Sequence, residues 1–301
     1  VNLPASMGVS GARDVWHCAT GTQTGLIPPP PPTPAPATIF HSFRRDRWLT
    51  FSELAVMLPE LASSGFDAVQ IGPAQESPDS PGWYHRYQPK NYSVISGLGT
   101  QDELRTLCDT AQRHGIMVIA DLVFNHMLVV AQRAEWAEAT TAADAGDTAA
   151  LDALQQRLEA QVGPAFDRWD FQWPWFAMDG AAWDDDRRYE GWGNGEWSEL
   201  RWSSKVVFAH TEHMRVLHEC GVRGFRVDAA KHMRPQHVAT YVQYAHALDP
   251  PAWTYLEVLN ADENNPGQYE EYIQAAGCPV TDFWLPMFLS NHAAAARGAK
   301  G

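Results

Sequence analysis

The sequence predicts an α/β fold, a parallel (β/α)8 TIM-type barrel of which about six βα units are present, with a small domain inserted after the third strand. Three observations predict it. From Ile39 onward, short apolar runs rich in β-branched residues alternate with amphipathic helical runs, the rhythm of parallel βαβ units. Polar and ionisable residues gather at the carboxyl ends of three of the short runs, the edge at which parallel barrels build their sites. A stretch crowded with Trp, Asp and Gly then breaks the rhythm between the third and fourth strands.

Taken in order, residues 1–37 are rich in Gly, Ser, Thr and Pro and end in a proline run at 28–32 followed by Thr33-Pro34-Ala35-Pro36. Such a segment is stiff and extended and packs no core, so it reads as a disordered tail and linker. The first part of the barrel is expected over 38–126, with strands at 39–43, 68–72 and 116–124 and helices at 51–61 and 101–114. The run at 116–124 is almost unbroken in its apolar character, as befits a strand buried on both faces. Residues 127–198 form the expected insertion: 131–158 is Ala-rich and helical, and seven of the thirteen Trp lie between Trp169 and Trp202. The second part of the barrel spans 199–301, with helices at 205–220, 237–248 and 270–276 and strands at 224–227, 254–259 and 280–284. Without tail and insertion about 190 residues remain, against about 250 for eight units. Strands seven and eight are therefore missing from the count.

Composition narrows the partners. Thirty-six acidic against 22 basic residues leave a net charge of −14, which argues against nucleic acid and anionic membranes, since both require a basic face. A neutral or cationic ligand fits better. No apolar run is long enough for a membrane span. The four cysteines lack CxxC spacing, and Cys108 and Cys220 fall in helical stretches as small buried hydrophobes. The compartment stays open in the sequence, with secretion favoured over the cytoplasm. Thirteen Trp can be core filling or flat binding platforms, and only their placement decides.

The chemistry lies in Asp121-Leu122-Val123-Phe124-Asn125-His126, in Gly224-Phe225-Arg226-Val227-Asp228-Ala229-Ala230-Lys231-His232 and in Tyr255-Leu256-Glu257-Val258-Leu259-Asn260. Asp228 and Glu257 are about one βα unit apart, which sets them on neighbouring strands about 4.8 Å from each other. Carboxyls so placed approach the roughly 5–5.5 Å separation of a retaining glycosidase pair. Arg226 precedes Asp228 by two residues and so shares its side of the strand; its guanidinium is expected to lower the Asp228 pKa and keep it a nucleophile. Glu257, flanked by Tyr255, Leu256 and Val258, is expected to be drier, with a raised pKa suited to an acid. The competing reading is a structural Arg–Asp pair beside a surface Glu.

Together these motifs resemble the α-amylase family of glycoside hydrolases, from about residue 39 to about residue 285. The resemblance implies Asp228 as nucleophile and Glu257 as general acid/base. Arg226 would orient the nucleophile, His126 would bind the sugar being cleaved, and Asp121 would brace the site. Lys231 and His232 would contact sugar on the leaving-group side. In the loop Trp83-Tyr84-His85-Arg86-Tyr87-Gln88-Pro89, Tyr87 matches an aromatic that stacks on the sugar at the cleavage point, with Trp83, Tyr84 and Gln88 lining neighbouring positions. The family commonly carries a calcium ion between barrel and insertion. Asn125 and the carbonyl of His232 match ligands, and Glu199 stands where the family usually has Asp, also a hard oxygen donor. The Asp184-Asp185-Asp186 cluster reads as a solvated turn.

The family's third carboxylate, an Asp after a His beyond strand seven, has no match: Asn291-His292-Ala293 has Ala in its place, and Asp282 looks like a strand-six residue. The family's C-terminal β domain is missing too. The chain is accordingly expected to be a piece of a longer enzyme cut after strand six, with a natural truncated relative as the competing view. The implied activity is retaining endo-hydrolysis of α-1,4-glucosidic bonds in starch-like α-glucans. The alternatives are a glycosidase or transglycosylase of the same family with another linkage preference, and a non-catalytic glycan-binding remnant.

Overall fold

The computed structural model describes residues 33–173, 189, 196–259 and 268–283. In chain order its strands are β1 (Ile39–His41), β2 (Phe43–Arg44), β3 (Arg47–Trp48), β4 (Ala68–Ile71), β5 (Gln75–Glu76), β6 (Asn91–Ile95), β7 (Met117–Leu122), β8 (Gly224–Val227) and β9 (Trp253–Leu256). Its helices are α1 (Phe51–Ser63), α2 (Gln101–Arg113), α3 (Arg133–Asp144), α4 (Ala149–Val162), α5 (Ser204–Glu219), α6 (Pro235–Ala247) and α7 (Gln268–Ala276).

The apolar runs pair into one parallel sheet in the order β1-β4-β7-β8-β9. Residues of β4 and β8 are buried throughout, so their two faces meet the helices outside and the barrel core inside. Curvature is visible in one contact: the Tyr255 hydroxyl of β9 donates to the Gln70 side chain of β4. Strands three places apart in a flat sheet lie about 14 Å from one another, out of reach for that pair. The sheet is therefore bent into five consecutive strands of a (β/α) barrel.

Several expected boundaries are corrected. The strand expected at 280–284 is reduced, among the described residues, to one parallel bridge between Val280 and Leu256. The strand expected at 39–43 ends at His41, because the chain turns back into the β2–β3 pair through Arg45 and Asp46, both at positive φ. The helical stretch at 131–158 holds two helices, α3 and α4, parted at Gly146 with φ +95°, a conformation that a residue with a side chain resists. Thr33 and Ala37, in the expected tail, are tied to the barrel: the Thr33 hydroxyl donates to the Pro251 carbonyl, and the Ala37 N–H donates to the Asp67 carboxylate at 3.0 Å. Residues 1–32, with Cys18, lie outside the described residues, as do Asp184 to Asp186 and Asn291-His292-Ala293.

Local chemistry explains the helix starts. Thr50 and Glu53 form a reciprocal cap on α1, and Thr100 and Glu103 do the same on α2, satisfying N–H groups that a helix otherwise leaves open. In the insertion, Ala131, Trp136, Ala139 and Leu154 make a small apolar cluster of their own, whereas Leu158, Val162, Phe166 and Phe171 join the main core. The insertion is thus anchored to the barrel by its second half.

Behind β7, α5 buries two histidines completely. His213 Nδ1 donates to the Tyr92 carbonyl at 2.8 Å, and His210 Nδ1 lies 2.7 Å from the Tyr241 hydroxyl. Burial holds His213 down to about 4 and His126 to about 3, and it lowers His210 well below its ordinary value with help from His213. Unfolding restores all three to near 6.5. Below that pH the unfolded chain binds protons the native chain refuses, so stability falls by about 1.4 kcal/mol per pH unit for each such histidine. Buried Asp121 and Asp228, whose values are raised by burial, offset part of this. The thermal midpoint is expected to fall steadily between pH 7 and pH 5, and a His213→Gln variant should show a shallower fall. A midpoint flat over that range would overturn the buried neutral histidines.

Candidate active site

The reactive groups stand where three apolar strands run out. Asp121 of β7 is in register with Arg226 of β8, and Arg226 with Tyr255 of β9. The ladder continues one residue beyond the strand ends: the Asp228 N–H donates to the Leu122 carbonyl at 2.8 Å, and the Glu257 N–H to the Val227 carbonyl at 2.9 Å. Because Val227 pairs with Leu256, Asp228 and Glu257 come out side by side on adjacent strands. Strand alternation puts Arg226 on the same face as Asp228.

One guanidinium gathers three carboxyls. Arg226 Nη1 donates to Asp121 Oδ1 at 2.5 Å and to Asp228 Oδ1 at 2.9 Å, and Nη2 meets Glu257 Oε1 at 2.6 Å. The other Glu257 oxygen accepts the Ala229 N–H at 3.0 Å. Ala229 has φ +48°, a left-handed backbone rare for a residue with a Cβ, and this abrupt turn after the strand presents its N–H to Glu257. The Tyr87 hydroxyl donates to Asp121 Oδ2 at 2.9 Å. His126 Nε2 lies 3.0 Å from the Tyr87 carbonyl; a carbonyl only accepts, so Nε2 carries the proton. Held near pKa 3 by burial, His126 is a neutral imidazole.

Above this floor opens a cavity of about 310 Å³. Trp83, Tyr84 and Tyr87 reach it from a short 3-10 turn, and Lys231 and His232 from the turn after β8. Arg226, Asp228, Glu257 and His126 line it as well. One expected lining residue, Gln88, is placed elsewhere. Gln88 is buried behind the loop, where its side-chain oxygen accepts the Val129 N–H at 3.2 Å. Asp121 is fully buried beneath Arg226 and Tyr87, so it braces the floor and does not face the cavity. Three lining residues were not foreseen: Trp197, Ala229 and Leu259. The Trp-rich insertion was the only signal for Trp197; Ala229 acts through its backbone, which sequence does not display.

The electrostatics depart from expectation. Burial raises Asp228 well above the usual carboxylate range; Arg226 opposes this, while Glu257 and Asp121 add to it. Asp121 is raised too, again by burial first. The expected net lowering of Asp228 is therefore overturned: Arg226 does pull the value down, but burial outweighs it, and Glu257 and Asp121 add to the rise. The dry surroundings expected at Glu257 are found at Asp228, whose side chain is 9 % exposed against 24 % for Glu257. Burial works against the Arg226 charge, but Asp121, Asp228 and Glu257 outweigh it and keep the guanidinium protonated. With every acid ionised the cluster would carry two excess negative charges in a buried site, and burial together with this crowding of acids pushes Asp121 and Asp228 upward.

The expected calcium ligands lie beside the site. His126 and Glu199 face each other in an antiparallel bridge, and the Leu200 N–H donates to the Asn125 carbonyl at 2.9 Å, which brings Asn125 and Glu199 to adjoining positions. Both side chains are buried, and the Asn125 amide nitrogen has no hydrogen-bond partner among the described residues. An amide turned by 180° presents oxygen at that same point. Two hard oxygen donors fit calcium. Among the described residues no group of three or more His, Cys, Asp or Glu side chains is placed to hold a metal, so the set would depend on carbonyl oxygens as well.

The chain is similar to known proteins. A family model described as "Alpha amylase, catalytic domain" matches residues 50–273. An alpha-amylase of Pecten maximus is 26 % identical over 276 residues, covering 88 % of this chain and 49 % of that protein. One of Aeromonas hydrophila is 30 % identical over 216 residues, covering 68 % of this chain and 42 % of its own length. The crystal structure of a mutant of alpha-amylase I from Eisenia fetida, in complex with maltohexaose, superposes with a TM-score of 0.63 at 20 % identity, covering 82 % of this chain and 49 % of that one; at that identity it shows the fold alone. The chain spans about half the length of the relatives it matches or less.

Replacing the shared cation exposes how much depends on it. An Arg226→Met variant is expected to lose about 3–5 kcal/mol of stability near neutral pH, the usual result of stripping one partner from a buried ion pair. The loss should shrink toward pH 5, where protonated carboxyls no longer repel one another. Urea melts at pH 8 and pH 5 check this; an equal loss at both would show that the guanidinium acts by packing alone.

Proposed function

The chain belongs to the alpha-amylase family of glycoside hydrolases, and from that premise we propose that the protein cleaves α-1,4-glucosidic bonds within starch-like glucans, with retention of configuration. The observation that carries the reading is the placement of Asp228 and Glu257 at the mouth of adjacent strands, both on one guanidinium and both facing a single cavity. Carboxyls this close favour direct attack over the wider separation that admits a water between them.

In this reading Glu257 gives its proton to the glycosidic oxygen as the bond to the anomeric carbon breaks. The Asp228 carboxylate forms a new bond to that carbon, and the leaving glucan departs with a hydroxyl. Water then attacks the same carbon, returns a proton to Glu257 and releases Asp228. The retaining mechanism requires a protonated acid and an ionised nucleophile at the moment the bond breaks. Arg226 aims both acids, and Asp121, fixed by Tyr87, aims Arg226. His126, neutral, hydrogen-bonds the sugar being cleaved; the Tyr87 ring takes its apolar face, and Trp83 and Tyr84 those of its neighbours. Lys231 and His232 meet the leaving side. An acidic surface tolerates a neutral polymer. Among the described residues no helix is long and apolar enough to cross a membrane.

Calcium would be held by the Asn125 side chain, the Glu199 carboxylate and the His232 carbonyl. When bound it would supply positive charge that clamps the insertion to the loop carrying His126.

Two measurements test these assignments. Starch hydrolysis should fall by about three orders of magnitude or more in Glu257→Gln and in Asp228→Asn, with melting unchanged; wild-type rates in both variants would remove the assignment. Calcium added to chelator-treated chain should raise the thermal midpoint, as any ligand of the native state does, and Glu199→Gln should cancel the rise. An unmoved midpoint, with no heat of binding in calorimetry, would remove calcium.

A further inference from the structure

Tyr87 faces the cavity, but the side chain before it turns the other way. Arg86 is half-buried beneath the 83–87 turn, and its partners among the described residues are backbone carbonyls. Its Nε donates to the Pro73 carbonyl at 3.1 Å. Its Nη2 donates to the carbonyls of Pro73 at 2.7 Å, of Ser96 at 2.9 Å and of Gln75. Pro73 follows β4, Gln75 opens β5 and Ser96 follows β6, so one side chain joins three segments. The Arg86 carbonyl is gripped as well, accepting from the buried Gln75 amide at 2.9 Å and the Ser77 hydroxyl at 3.2 Å. Gly97 makes room for the guanidinium: at φ +79° it carries no Cβ, and one there would lie 1.9 Å from Arg86 Nη1.

Withdrawing a cation from water toward carbonyl dipoles alone is costly; burial lowers the Arg86 pKa to about 10, which still leaves it charged at neutral pH. What it secures is a turn with little hold of its own. The His85 N–H donates to the Gly82 carbonyl at 3.0 Å and the Gln88 N–H to the His85 carbonyl at 3.1 Å, the tight pattern of a 3-10 turn with its poorer hydrogen-bond geometry. That turn carries Tyr87, and both ends of Tyr87 serve the site. Its hydroxyl donates to Asp121, and its carbonyl accepts the Nε2–H of His126. A displaced Tyr87 would move the brace beneath Arg226 and the imidazole together. A planar guanidinium reaches carbonyls on three segments at once, whereas an ammonium sets all its donors on one nitrogen.

We infer that Arg86 is a positioning residue for the reaction: locked onto the Pro73, Gln75 and Ser96 carbonyls above Gly97, it sets the place of Tyr87 and, through the Tyr87 hydroxyl and carbonyl, the places of Asp121 and His126. Its effect on hydrolysis rests on the glucan reading above; its effect on the placement of His126 does not.

Two variants test it. Arg86→Gln removes the guanidinium, and Gly97→Ala leaves Arg86 in the chain but fills the space its Nη1 occupies. The first readout is nitrogen-15 NMR of the imidazole N–H groups. The His126 signal, identified by its loss in His126→Gln, should exchange slowly in the parent, because that N–H is buried and bonded to the Tyr87 carbonyl. In both variants it should broaden or exchange away. The His218 signal, from a ring held 2.8 Å from the Pro250 carbonyl ahead of β9, should persist. The second readout is maltohexaose hydrolysis, whose kcat should fall at least about 10-fold in both variants, since small misplacements near reacting groups are costly. A His126 signal kept in both variants overturns the assignment. Loss of the His126 and His218 signals together also overturns it, since Arg86 would then support the fold at large. Parent rates despite a lost His126 signal overturn its part in the reaction. A parent that hydrolyses no maltohexaose overturns the glucan reading, and the His126 signal then decides the placement by itself.

Discussion

A single buried guanidinium, shared by three carboxyls, is the constraint around which the rest of the structure is arranged. Arg226 touches Asp121, Asp228 and Glu257 at once. Asp121 and Glu257 reach it from the strands on either side of its own, so the three strands must keep their register for the cluster to be neutralised. A slip of one residue in β8 would turn Arg226 to the opposite face and leave like charges facing each other in a dry space. The ladder hydrogen bonds that run past the strand ends to Asp228 and Glu257 hold that register to the point where the chemistry begins.

Curvature and loops complete what register begins. Bending of the sheet brings β4 and β9 together through Gln70 and Tyr255, closing the space below the cluster. The 83–87 turn lays Tyr87 over Asp121, and the segment around Glu199 returns from the insertion to pair with His126. The insertion thereby shapes the same cavity as the barrel, though part of its apolar packing lies in a cluster of its own. Its attachment at this point depends on a short antiparallel bridge, a place where a bound cation would add most.

The barrel rhythm and the main chemistry were legible because they rest on local pattern. Unbroken apolar runs mark strands buried on both faces, and alternation places Arg226 and Asp228 on one side whatever the rest of the chain does. The electrostatic expectation failed for a related reason. The Arg226–Asp228 pair is local, but the burial that raises Asp228 comes from the whole fold, and Asp121 and Glu257 arrive from other strands to add to it; no window of sequence shows either. Gln88 is another such case: its neighbour in sequence, Tyr87, faces the cavity, while Gln88 turns back to the Val129 N–H, supplied by the loop after β7.

What the sequence by itself determined is the order of units, the identity of the acids and the cation, and the strand ends at which they stand, since these follow from periodicities of two and 3.6 residues. Tertiary structure alone decided which acid is dry, which aromatics are platforms and which are core, and where a backbone N–H such as that of Ala229 is aimed. Those properties depend on what the whole fold brings within a few ångströms of a group, and burial and shared charge are sums over neighbours far apart in the chain.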